Sequence, residues 1–146
     1  MTATVERSDL APGLPISRVV TGLWQIADME RDGRTLDLDA AAAAMVPYVE
    51  TGFTTFDMAD HYGSAEDIAG RFVAARGKRR GFELLTKWVP KPGPLTRQDV
   101  RGAVQRSLTR LRVETIDLLQ FHAWNYADPS WLDALFALEE LKREGL

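Results

Sequence analysis

Hydrophobic positions along the chain alternate between two patterns. Four short runs rich in β-branched and aromatic residues read as strands: Arg18 to Trp24, Phe53 to Asp57, Phe82 to Lys87 and Ile116 to His122. Each is followed by a stretch of helical spacing. Ala40 to Val49 is an Ala-rich run that Pro47 should kink and Gly52 should stop. Ser64 to Asp67 has the spacing of a capping box, with Ile68, Ala69, Phe72 and Val73 making one apolar stripe up to Gly77. Thr96 to Asp99 repeats that spacing ahead of Val100, Val104, Leu108 and Leu111. Asp128 and Pro129 open a last helix by an N-cap followed by proline, Trp131, Leu132, Leu135, Phe136 and Leu138 fill it, and Gly145 closes it.

The order is strand then helix, four times over. Such alternation predicts parallel strands joined by right-handed crossovers, either a barrel segment or a doubly wound sheet. Residues 1–17 carry Pro12, Gly13 and Pro15 and read as a tail or a small hairpin, a polar loop runs from Asp28 to Arg34, and residues 18–146 form a single unit.

Composition narrows the class without changing the pattern. The chain has 146 residues, 45% hydrophobic and 27% charged, with a net charge of −3. That balance suits a soluble globular domain and provides no field for nucleic acid or an anionic membrane. The basic cluster from Arg76 to Arg80 reads as a solvated loop at a helix-to-strand junction. Cysteine is absent, and the only imidazoles are His61 and His122, so disulfides and a thiolate or histidine-rich metal site are not expected. No charged-then-apolar leader opens the chain and no apolar run approaches about 18 residues, so a cytoplasmic protein is expected.

Reactive side chains fall at one kind of position on this frame. Asp57 ends the second strand with Tyr62 just beyond it, Lys87 ends the third, and His122 ends the fourth, on the same face as Ile116, Leu118 and Gln120. Taken alone, Asp57 and Asp60 read more readily as caps of a turn and Tyr62 as a packed ring. In parallel strands, however, all four side chains rise from the C-terminal edge, where barrels of this type carry their catalysis. A free phenol with a pKa of about 10 is a poor acid at neutral pH, and a lysine ammonium beside it favours the phenolate. Tyr62 would then donate a proton to a carbonyl oxygen, Asp57 would hold Lys87, and His122 would orient the substrate. No side chain supplies hydride, so the reduction requires a nicotinamide or a flavin.

These residues carry a resemblance. The motifs Thr21-Gly-Leu-Trp24, Gly52-Phe-Thr-Thr-Phe-Asp57 through Tyr62-Gly-Ser-Ala-Glu66, Leu85-Thr-Lys87, and Ser107-Leu-Thr-Arg-Leu111 through Ile116-Asp-Leu118 and His122 resemble the N-terminal half of an aldo-keto reductase. The match runs from about Val19 to the last residue. The resemblance implies a parallel (β/α) barrel of TIM type reduced to about four β/α units, and an NADPH-dependent oxidoreductase that reduces an aldehyde or ketone, with NADH also open. It makes Asp57, Tyr62, Lys87 and His122 the catalytic tetrad, with Tyr62 the general acid. It sets Gly22, Leu23, Trp24 and Asp57 beside the cofactor, and Trp24, Trp88, His122 and Trp124 around the substrate, core packing being the alternative for each tryptophan. Met58 stands where the family more often has threonine.

A full barrel of this kind needs about 250 residues. A half-barrel is expected to expose unpaired edges on its first and last strands and to leave Phe53, Leu85, Ile116 and Leu118 without facing layers. Three readings follow: an incomplete reductase, a half-barrel that pairs with another copy or a complementary half, and a non-catalytic binding or regulatory module. A lyase or isomerase on the same scaffold is a further class.

Overall fold

The computed structural model describes residues 5–27, 35–77 and 81–146. The expected loop from Asp28 to Arg34 and the last three residues of the basic cluster lie outside the described residues. An antiparallel hairpin comes first, β1 (Arg7–Ala11) and β2 (Leu14–Ser17). Then follow β3 (Thr21–Gly22), α1 (Leu38–Ala43), α2 (Val46–Glu50), β4 (Thr55–Asp57), α3 (Ala65–Arg76), β5 (Glu83–Trp88), α4 (Arg97–Leu111), β6 (Leu118–Phe121) and α5 (Ser130–Arg143).

Strands β3, β4, β5 and β6 make one parallel sheet in chain order. Because sheet order follows chain order, every right-handed crossover falls on the same face, and the helices line up there as neighbours. Register is close: Thr21 pairs with Phe56, Asp57 with Leu85, and Leu85 with Leu118. The expected strand from Arg18 to Trp24 shortens to Thr21–Gly22, since β3 lies at the edge with β4 as its one partner and Val19 and Val20 remain exposed. The opposite edge is β6.

The hairpin is bound to the sheet. Ser17 donates its N–H to Thr55 Oγ1 at 2.8 Å and accepts the Thr55 N–H at 3.1 Å, while Arg7 bridges Thr54 and Glu83. Leu85 and Ile116, expected to lack facing layers, are buried at 4% and 7% exposure, whereas Phe53 and Leu118 are half-buried.

Helix boundaries follow local chemistry with two corrections. Pro47 does more than kink the first helix: it sits in the first turn of a separate helix, α2, where its missing N–H costs nothing. Thr96 and Asp99 form a complete capping box on α4. Ser64 does not cap α3. Its hydroxyl is buried without a partner among the described residues, and the entry to the helix is closed instead by Ala65 N–H donating to the Tyr62 carbonyl at 2.9 Å. Gly77 ends α3 in the left-handed region at φ 64°. Asp128 accepts the Ser130 N–H at 2.9 Å, which holds its carboxyl below the usual range.

Helix α5 packs by its small residues. It turns Ala134, Ala137 and Leu141 into the core and leaves Leu132, Leu135 and Phe136 outward, Phe136 at 66% exposure. Small residues permit close packing against α4, Leu138 packs at the margin of the core, and Leu132, Leu135 and Phe136 form an external face. No helix among the described residues is long and apolar enough to cross a membrane.

Candidate active site

The C-terminal ends of β3, β4, β5 and β6 converge through hydrogen bonds that prolong the sheet. Leu23 N–H donates to the Asp57 carbonyl, Met58 N–H to Leu85, Asp60 N–H to Lys87, and His122 N–H to Trp88, each at 2.9 Å. Asp57 and Lys87, one strand apart, are therefore presented at the same edge. The Lys87 ammonium donates to Asp57 Oδ2 at 2.6 Å and to the Met58 carbonyl at 2.9 Å. Both side chains of the ion pair are largely covered, at 14% and 28% exposure, so solvent screens the attraction less than on an open surface. Met58 serves the lysine through its backbone while its side chain lies in the core, which explains why a methionine is acceptable there.

The same ammonium lies 5.0 Å from the centre of the Tyr62 ring. The phenol is fixed from two sides, edge-on to Trp24 at 4.6 Å and to His61 at 4.8 Å between ring centres. His122 stands 4.9 Å from Trp124, whose ring is 6.3 Å from His61. A chain of rings thus runs from Trp24 through Tyr62, His61 and Trp124 to His122. Among the described residues, neither the Tyr62 hydroxyl nor the His122 ring nitrogens are taken up by a hydrogen bond.

Two candidate contacts change character. Leu23 is 1% exposed, backbone included, and gives its N–H to the Asp57 carbonyl, so it is covered, and Trp88 is 4% exposed with its ring 5.5 Å from Phe121, which is core packing. Trp124, by contrast, is 70% exposed. It also lines a cleft of 240 Å³ between the proline-rich loop at Pro90 to Leu95 and the segment leading to α5. Gly22 is exposed and open where a Cβ would stand, next to Asp57 in register. Gly22 and Trp24 are thus the contacts at this edge that keep exposed surface beside Asp57.

Sequence reasoning passed over His61, Asp60, Glu66 and Arg110. The Glu66 carboxylate, 2% exposed, accepts from Thr86 Oγ1 at 2.7 Å and from Arg110 at 3.3 Å. A buried acid in the first turn of an otherwise apolar helix face was the available signal. No group of three acidic or histidine side chains among the described residues is arranged to hold a metal ion.

Comparison with known proteins places this geometry. The Aldo/keto reductase family profile matches residues 18–146. The chain is 33% identical over 117 residues to human aflatoxin B1 aldehyde reductase member 2, covering 77% of this chain and 32% of that protein. It is 31% identical to the 6-dehydroglucose reductase of Agrobacterium fabrum, covering 97% of this chain and 53% of that protein. An aldo-keto reductase structure from Klebsiella pneumoniae in complex with NADPH superposes with a TM-score of 0.71 at 25% identity, over 90% of this chain and 43% of that one. The chain spans about half, or less, of the length of the relatives it matches.

Proposed function

The chain belongs to the Aldo/keto reductase family, with the fold of half a TIM-type barrel, and on that premise we propose that it reduces an aldehyde or ketone to an alcohol with NADPH, Tyr62 acting as general acid. The observation that carries this reading is the Lys87 ammonium, held 2.6 Å from Asp57 and 5.0 Å from the Tyr62 ring at the C-terminal edge of the sheet.

In this reading the nicotinamide supplies hydride to the carbonyl carbon. The Tyr62 hydroxyl gives its proton to the carbonyl oxygen, completing the alcohol, and Lys87 stabilises the phenolate left behind until solvent reprotonates it. Asp57 keeps the lysine in place, and His122 hydrogen-bonds the same oxygen and orients it. Gly22 and Trp24 would border a bound nicotinamide, and Trp24 and Trp124 would wall the substrate. The named activities of the two relatives support an aldehyde or sugar-derived carbonyl, and the NADPH complex supports NADPH over NADH. We place the protein in the cytoplasm.

A second reading draws on the sheet edges. Both β3 and β6 have one strand partner each, and a groove of 610 Å³ between the β1–β2 turn, β6 and α5 is lined by Leu118, Leu135 and Leu138. These surfaces suit association with a second copy or a complementary half-barrel, with a binding or regulatory role as the outcome if catalysis is absent.

One experiment separates the readings: solution mass, NADPH fluorescence titration and NADPH consumption with a carbonyl panel, all on one sample. The reductase reading expects nucleotide binding and carbonyl-dependent consumption. A folded chain that binds a protein partner but no nucleotide would replace it with the binding-module reading.

A further inference from the structure

We propose that Arg110, acting with the buried Glu66, is a positioning residue that sets the segment carrying Tyr62 against the lysine. The proposal rests on Tyr62 being the acid of the reaction above, and it adds the means by which the phenol is placed.

A carboxylate as buried as Glu66 has to be compensated by donors. One oxygen accepts from Thr86 on β5 at 2.7 Å, and the other from Arg110 Nη1 on α4 at 3.3 Å. That same nitrogen donates to the Asp60 backbone carbonyl at 3.0 Å. Asp60 is also fixed at its other groups: its N–H donates to the Lys87 carbonyl at 2.9 Å, and its carboxylate accepts the Val89 N–H at 3.2 Å and lies 3.3 Å from His61 Nδ1. The residue two before Tyr62 is therefore tied to the strand that bears Lys87, and Arg110 supplies the tie from outside the sheet.

The helices are built to allow it. A Cβ on Gly70 would stand 1.9 Å from the Arg110 carbonyl oxygen, so glycine permits α3 and α4 to approach closely at this turn. Only the acid of this pair is buried, the Arg110 side chain being 38% exposed, and such a pair is weak evidence for stability in itself, because apolar replacements of both partners are often neutral. What an apolar pair cannot reproduce is the hydrogen bond to the Asp60 carbonyl.

That distinction defines the test. Arg110→Met alone leaves the buried Glu66 charge without its cation, with the Thr86 hydroxyl still donating to one oxygen, and is expected to destabilise the whole chain. The double variant Glu66→Gln with Arg110→Met removes the charge and its partner together, so its denaturation midpoint should recover most of that loss. Backbone hydrogen exchange is then read at Asp60 and Tyr62, together with the ring resonances of the chain's two histidines. The expected result for the double variant is exchange at Asp60 and Tyr62 faster by about tenfold or more, with the His61 resonances moved and those of His122 unchanged. Arg110→Lys, which keeps a cation near both oxygens, should return exchange most of the way. Unchanged exchange at Asp60 and Tyr62 in a folded double variant would overturn the proposal. Equal acceleration throughout β5 and α4 would also overturn it, by making the pair a general strut. These readings need neither cofactor nor substrate, so their failure is distinguishable from failure of the proposed reaction.

Discussion

Gly70 and Gly102 both lie inside helices, and replacing each by alanine should move stability in opposite directions. By propensity alone, alanine is better than glycine in a helix interior by about 1 kcal/mol. At Gly102 that preference is unopposed, because the added methyl would meet only the flexible end of Arg106, 3.6 Å away. At Gly70 it would meet the Arg110 carbonyl oxygen at 1.9 Å, with the Arg110 and Leu111 carbonyl carbons at 2.9 and 3.1 Å. Close carbon-to-oxygen contacts run from about 3.3 Å, so the shortfall is about 1.4 Å. All three atoms are backbone and no rotamer change relieves them, so α3 and α4 must separate. Overpacking of this kind costs about 1 to 3 kcal/mol, and the depth of the clash places Gly70 at the upper end. Subtracting the propensity gain leaves a net loss of about 2 kcal/mol for Gly70→Ala, against a gain of up to about 1 kcal/mol for Gly102→Ala. Urea denaturation of the two variants beside the unaltered chain measures both. A Gly70→Ala midpoint at or above that of the unaltered chain would refute the close packing of the two helices, and with it the path by which Arg110 reaches Asp60.

Two further expectations concern other parts of the fold. Phe136→Ala should change stability by less than about 0.5 kcal/mol, since the ring is 66% exposed, whereas Phe72→Ala, at 1% exposure, should cost about 3 to 5 kcal/mol; similar losses in thermal denaturation would mean that α5 is turned the other way. Hydrogen bonds from Thr96, from the Ser130 backbone and from Arg101 hold the Asp99, Asp128 and Glu144 carboxyls below their ordinary values. A lowered folded value gives stability that is present above the unfolded value of about 4 and is lost as pH falls through the folded one. The urea midpoint should therefore drop below about pH 4, and Asp99→Asn should make that acid limb shallower; an unchanged limb would count against the capping box as its source.

Where the chain was legible in advance, local chemistry decided the outcome. Thr96 and Asp99 are three residues apart and need nothing distant to make their box. Asp57, Lys87 and His122 fall at strand ends because the strands themselves are short runs with clear punctuation. Ser64 has the same local spacing as Thr96, yet tertiary packing buries its hydroxyl and hands the helix entry to the Tyr62 carbonyl. The apolar residues of α5 do not by themselves tell its facing: close contact with α4 selects Ala134 and Ala137, and Leu132, Leu135 and Phe136 stay outside. Leu23 and Trp88 look available on a strand end and a loop, but neighbouring elements cover them. The pairing of Glu66 with Arg110 spans 44 residues of chain, and no local pattern reports such a contact.

The central claim is that the Tyr62 hydroxyl delivers the proton. Tyr62→Phe keeps a ring of the same shape against Trp24 and Lys87 and removes only that hydroxyl, so the decisive measurement is carbonyl-dependent NADPH consumption by this variant beside the unaltered chain. The account predicts turnover lower by about a hundredfold or more with NADPH affinity retained. Turnover preserved in Tyr62→Phe would contradict it and assign the proton to another group.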